Sequence, residues 1–184
     1  MSIMNQGTVA SQRALETSLV REQIDAQAET IRFLHGAYVA AYQPGATYPA
    51  NTPAGQWAVM TQAITSGAAS DFGGFTVCPN LPTGSFILDS VNATYIPASS
   101  GKIRTNTDAF VNKTYAQVGY DATSGILSYS DGIWVEGVRS QVSSDVNQQN
   151  VRYIDFHIYA CWESPGQGPP ITIGTIVRLY EPRG

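Results

Sequence analysis

The chain has 184 residues, 43% hydrophobic and only 13% charged, which suits one domain with a sizeable core and argues against wholesale disorder. A formal charge of −4 excludes the basic stripe of a nucleic-acid binder. No apolar run reaches the roughly 18 residues of a membrane span. Met1 to Gly7 lack the basic and apolar regions of a secretory signal.

Residues 1–42 read as a helical segment. Arg13, Glu16, Arg21, Glu22, Asp25, Glu29 and Arg32 supply most of its charge, Ser11 is a candidate N-cap and Gly36 a candidate C′ residue, with Ala37 to Tyr42 able to continue the helix. Ile24, Ile31 and Tyr38 repeat at seven, and Val20, Leu34, Ala41 and Ala28 flank them, which places an apolar stripe along one side. Gln27 and His35 fall at its edges. The heptads are too few and too imperfect for a coiled-coil assignment. Because the segment is N-terminal and set apart by a Pro/Gly stretch, Val20, Ile24, Ile31, Leu34 and Tyr38 are expected to meet copies of the chain or a larger partner. Packing on the chain's own domain is the alternative.

Residues 43–56, QPGATYPANTPAGQ, read as an extended arm or linker, with Tyr48 as an anchor on a neighbouring subunit. From Trp57 onward, β-rich runs alternate with turns. Strands are predicted near 57–65, 74–78, 84–91, 93–97, 102–105, 115–120, 125–130, 133–139, 151–162 and 171–180. Ser130-Asp131-Gly132 predicts a two-residue hairpin, and Asp121 to Gly125 a longer hairpin loop. Residues 151–162 and 171–180 both alternate at period two, so they predict an antiparallel pair around the turn-rich ESPGQGPP. Residues 139–150 are polar and read as a surface loop. The fold class is therefore mainly β: an N-terminal helix, then an antiparallel, jelly-roll-like sandwich over 57–184.

Candidate chemistry is sparse. The chain has no GxGxxG, Walker, HExxH or GxSxG motif. His157 and Asp155 share a strand face with Cys161, but no nucleophile is marked, so a polar surface is the reading. The carboxylates are scattered, and Asp121 and Asp131 have turn roles. Cys78 and Cys161 lie outside any zinc pattern and read as buried free thiols, a disulfide being the alternative. Trp134 beside Glu136 reads first as an interface or second-sheet core position; facing outward, the pair would suit sugar stacking and hydroxyl bonding. The sequons at Asn92 and Asn112 are read as chance. No catalytic residue, cofactor or metal ligand is expected.

A helix, a Pro/Gly arm and a lightly charged β domain rich in Thr, Ser, Ala, Gly, Asn, Gln and Tyr together resemble the structural proteins of bacteriophage virions, above all capsid decoration (cement) proteins and short fibres. The resemblance covers the whole chain in layout and carries no diagnostic motif. It implies a non-enzymatic virion protein, most often a homotrimer, bound to a major capsid or tail protein. A receptor- or glycan-binding fibre module is the other reading. Consecutive apolar residues such as Phe86, Ile87 and Leu88 point the same way, since a second apolar face suits contact with another subunit.

Overall fold

A computed structural model describes residues 2–64, 68–71, 73, 76–140, 152–163 and 168–182. Helices α1 (Ser2–Ala41) and α2 (Pro53–Gln62) precede eight strands: β1 (Phe86–Asp89), β2 (Thr94–Pro97), β3 (Ile103–Arg104), β4 (Gln117–Tyr120), β5 (Leu127–Asp131), β6 (Ile133–Arg139), β7 (Tyr153–Trp162) and β8 (Ile171–Tyr180). One long helix followed by mostly antiparallel strands in two sheets is the expected class of fold.

Helix α1 is longer than its punctuation suggests. Forty residues make a rod of roughly 60 Å. Ser11 does not cap it; its hydroxyl donates back to the Gly7 carbonyl at 2.9 Å, inside the helix. Gly36 does not end it either. The helix ends at Ala41, shortly before Pro44, whose ring disfavours helical backbone at the preceding residue. Tyr48 then folds back, donating from its hydroxyl to the Ala41 carbonyl at 3.3 Å and accepting from the Gln43 amide at 3.0 Å. It anchors this chain's own helix end rather than a neighbouring subunit.

The strand predicted at 57–65 is helix α2. Thr52 caps it by accepting from the Gly55 amide at 3.1 Å, and Pro53 occupies its first turn. Trp57, Met60 and Ile64 recur at helical spacing and are all buried. The proposed division between arm and β domain at 56/57 therefore falls inside this helix. Of the strand predicted at 74–78, residues 76–78 are not in a strand, and 74 and 75 lie outside the described residues. Most of the polar stretch 139–150 and the centre of ESPGQGPP lie outside them too.

The larger sheet has the order β2-β1-β6-β7-β8, antiparallel at every pairing. The predicted pair β7–β8 is in register over ten residues, from Tyr153 opposite Tyr180 to Trp162 opposite Ile171. The smaller sheet has the order β3-β5-β4, with β3 parallel to β5. The predicted hairpin loop at Asp121 joins β4 to β5. Its carboxylate accepts from the Thr123 and Ser124 amides at 3.1 and 2.8 Å.

The second predicted hairpin is not one. β5 and β6 belong to different sheets, and Ser130-Asp131-Gly132 is the corner between them. Gly132 has φ of 69°, and a Cβ there would run into the Cys161 carbonyl. Its amide bonds Arg104 of β3 at 2.7 Å, while its carbonyl accepts from Cys161 of β7 at 2.8 Å. Turn chemistry demanded the glycine, and sheet pairing decided which strands it joins.

Helices α1 and α2 lie on one face of the larger sheet. Ile154, Phe156, Ile158, Ala160 and Trp162 of β7 point at them and are fully buried. Trp57 of α2 packs on Phe156 with ring centroids 5.5 Å apart. The other face of β7 carries Tyr153, Asp155, His157, Tyr159 and Cys161. There Cys161 is bonded to Cys78, so the expected free thiols are a disulfide. Chain approaching β1 crosses this face and brings together two cysteines 83 positions apart. Sequence spacing carried no sign of that crossing.

Candidate functional site

The residues expected to form an interface with other chains are core residues of this one. Val20, Ile31 and Leu34 have 0% exposure and Ile24 4%, in contact with the chain's own sheet. No part of these side chains is left for a second helix, so the assignment is corrected: α1 packs at home. Tyr38 is partly buried and stacks against Trp57, Tyr42 and Tyr48, with centroids 5.2–6.2 Å apart. The helical seam that would have built a trimer is thus already filled.

Three polar side chains pin the rod along its length, and none stood out in the sequence. Buried Glu16 accepts from the Trp162 indole at 3.1 Å. Buried Gln27 bonds to the backbone of β1. His35 donates from Nε2 to the Tyr180 carbonyl of β8 at 2.9 Å. Gln27 and His35 sat at the edges of the apolar stripe, which is where side chains reach over a helix flank to a sheet.

Trp134 and Glu136 do meet, as predicted, but inside the protein. Trp134 is 1% exposed and donates from its indole to Glu136 Oε1 at 3.0 Å. Glu136 is 9% exposed, and its Oε2 accepts from the Ser70 amide at 3.0 Å. Tyr159 stacks on Trp134 at 5.6 Å, and its hydroxyl donates to the Ser70 carbonyl at 3.3 Å. Burial, with added repulsion from Glu136 and Asp71, pushes the Tyr159 hydroxyl up to about 12. Chain around Ser70 roofs the face that sugar stacking would need, so the glycan-contact assignment of Trp134 and Glu136 is corrected to a buried polar network.

Asp155 and His157 do not work together. Asp155 holds Arg178 in a bidentate pair, with both distances 2.7 Å, while His157 Nδ1 shares a hydrogen bond with the Tyr159 hydroxyl at 3.1 Å. With Cys161 in a disulfide, these residues form no nucleophile-base pair. Asp131 is fully buried at the corner between sheets and accepts from the Val111 amide at 2.7 Å. Burial raises its carboxyl, with the Val111, Asn112 and Arg104 hydrogen bonds opposing that effect. Asn92 and Asn112, the sequon residues, bond to Asp89 and to the Tyr129 hydroxyl.

One solvent-open feature lies at the N-terminal end of α1. From residue 7 on, Glu16 is the first buried residue of the helix, and residues 7–12 upstream of it are exposed or half-exposed. A polar cleft of about 490 Å³ opens at the root of this overhang, lined by Gln12, Glu16, Thr107, Asp108, Lys113, Thr114 and Glu163. Among the described residues, no group of His, Cys, Asp and Glu side chains is placed to hold a metal ion. Nor is any described helix long and apolar enough to cross a membrane. No protein-family model matches the chain, and no curated protein and no solved structure matches it significantly.

Proposed function

We propose that the chain is a non-enzymatic structural protein of a virion, a subunit that decorates or cements a phage capsid as a symmetric oligomer. The observation that carries this reading is the helical overhang. A helix is marginal in water unless its turns are covered. Here the chain covers α1 from Glu16 onward and leaves the turns at 7–12 largely outside its body. Such a lever suits attachment to a shell or tail protein. The helix-backed sheet then serves as the rigid part, held by a disulfide and by buried bonds at Glu16, Gln27 and His35. Low surface charge and the layout shared with decoration proteins point the same way.

The test is protein chemistry on purified particles. Mass spectrometry of gradient-purified virions from the encoding source is expected to find the chain in multiple copies per particle, and removal of residues 2–11 is expected to abolish its incorporation while leaving its circular dichroism native. Absence of the chain from particles overturns the assignment. Full incorporation of the shortened chain overturns the role of the overhang.

A further inference from the structure

The outer edge of β8 is built to pair. β8 closes one side of the larger sheet, and among the described residues no strand lies beyond it. Natural edge strands are usually blunted by a proline, a bulge or a lysine. Over its ten residues β8 has no proline and no lysine, and its register with β7 runs without a shift. Its one charged side chain, Arg178, is held by Asp155 and lies over the Tyr153 ring at 4.1 Å.

The direction of its free backbone groups follows from two bonds. The Glu181 amide donates inward, to the Arg152 carbonyl. In an antiparallel ladder the pointing alternates, so odd-numbered residues of β8 bond to β7 and even-numbered residues turn their amides and carbonyls outward. Tyr180 obeys this, because its carbonyl accepts from His35 rather than from β7. Thr172, Gly174, Ile176, Arg178 and Tyr180 therefore present the open edge. Ile176 is 60% exposed.

We propose that this edge pairs with β8 of a second copy of the chain, antiparallel, about a twofold axis through Ile176. The two five-stranded sheets then become one continuous sheet. The register is set by Pro170 and Pro182, which lie at equal distances on either side of Ile176 and cannot donate to a ladder. With the axis at Ile176, every outward residue from Thr172 to Tyr180 has a partner. Any other register either draws one of the prolines into the ladder or leaves an outward residue of β8 without a partner. The side chains agree: Ile176 meets its own copy, and bulky Arg178 lies opposite Gly174. Tyr180 keeps His35 and still accepts from Thr172 of the second copy, since a carbonyl has two lone pairs. This pairing is independent of the virion assignment and stands or fails separately.

The test uses the full chain. Sedimentation equilibrium is expected to give a dimer, or an assembly with an even number of copies. Ile176→Lys puts two like charges opposite each other and is expected to weaken association about tenfold or more, with native circular dichroism. The described chain has no free cysteine. Ile176→Cys therefore adds a thiol facing its copy at about 5.5 Å between Cα atoms, within disulfide reach. It is expected to give a covalent dimer on oxidation, while Gly174→Cys is not. A monomeric wild type, a dimer or trimer indifferent to Ile176→Lys, or equal cross-linking at both positions overturns the proposal.

Discussion

Gln27 of α1 and Leu88 of β1 exchange two hydrogen bonds, as two paired strands would. Gln27 Nε2 donates to the Leu88 carbonyl at 2.8 Å, and the Leu88 amide donates to Gln27 Oε1 at 2.9 Å. The reason lies in the sheet. β1 meets β6 only at Phe86 opposite Val135, so Leu88 faces a gap in the ladder. A primary amide carries the same donor and acceptor as a peptide group and fills the gap at the same spacing.

Gln27→Leu is expected to cost about 2–6 kcal/mol, because it leaves a buried amide and a buried carbonyl without partners at about 1–3 kcal/mol each. Urea unfolding measures this. Gln27→Glu keeps the acceptor but loses the donor and buries a charge. It should be as damaging at neutral pH and recover as the carboxyl is protonated in acid.

Deleting residues 1–42 is expected to unfold the protein rather than release a β domain, since Val20, Ile24, Ala28, Ile31 and Leu34 all belong to the common core. Exposing the sheet face beneath them forfeits about 2–5 kcal/mol per large side chain. Deleting residues 2–11 removes no core residue among the described side chains and should shift the thermal midpoint little. Calorimetry on both truncations separates the two halves of the helix.

Reducing the Cys78–Cys161 bond frees a loop spanning 83 positions. The chain-entropy account predicts a loss of about 4.5 kcal/mol for a loop of this order, and measured bonds usually give about 2–5. Cys78→Ala should lower the unfolding midpoint accordingly. It should also loosen the chain over Trp134, seen as increased quenching of its fluorescence by acrylamide. Titration with a thiol reagent under denaturing, non-reducing conditions is expected to find neither thiol in the wild type.

The pH profile has two sensitive limbs. Fully buried Asp89 ties β1 to β5, accepting from the Leu127 amide at 2.8 Å as well as from the Val91 and Asn92 amides and the Asn92 side chain. Burial works to raise its carboxyl, but the bonds from Asn92, Leu127 and Val91 outweigh that and hold it below the ordinary 3.8. Its contribution is present above that ordinary value and is lost as pH falls through the folded one. Asp89→Asn should flatten the acid limb. Tyr159 acts at the other end. Its hydroxyl, raised to about 12 by burial and by Glu136 and Asp71, favours the fold up to about its ordinary 10 and ceases to do so as pH rises through 12. Tyr159→Phe should shrink that limb, leaving the smaller share of Tyr38, Tyr95 and Tyr129, whose hydroxyls burial also raises, read as the denaturation midpoint against pH.

The parts of this fold that rest on local pattern were legible. Alternation over 151–162 and 171–180 gave the β7–β8 pair because one face of β7 is apolar and buried, and the matching face of β8 carries Ile171, Ile173, Val177 and Leu179, buried at Val177 and half-buried at the others. Asp121 gave its loop because its carboxylate accepts from the Thr123 and Ser124 amides, two and three residues on. The stripe on α1 was equally visible, but its owner was not. Periodicity says that Val20, Ile24, Ile31 and Leu34 are covered, and only the tertiary fold says that α2 and the larger sheet cover them. Gly132 shows the same limit, since a positive φ is needed at a hairpin and at a corner between sheets alike. Helix α2 was misread because PAGQWAVMTQ is apolar on most sides and short, which is where strand and helix patterns converge. Whether Trp134 faces outward is not settled by alternation, which reports that two faces exist, not that chain around Ser70 roofs the second one.

The bonds from Glu16 to Trp162 and from His35 to Tyr180 join residues 146 and 145 positions apart. On a ribosome moving at roughly 5–20 residues per second, α1 emerges on the order of ten seconds before β7 and β8 are made. For that interval its greasy side has no lid. The nascent chain must keep it shielded, by a chaperone or by the tunnel's surroundings, and the body closes only when the final hairpin arrives. Slow codons placed between β6 and β7 should therefore lower soluble yield, even though they alter no residue.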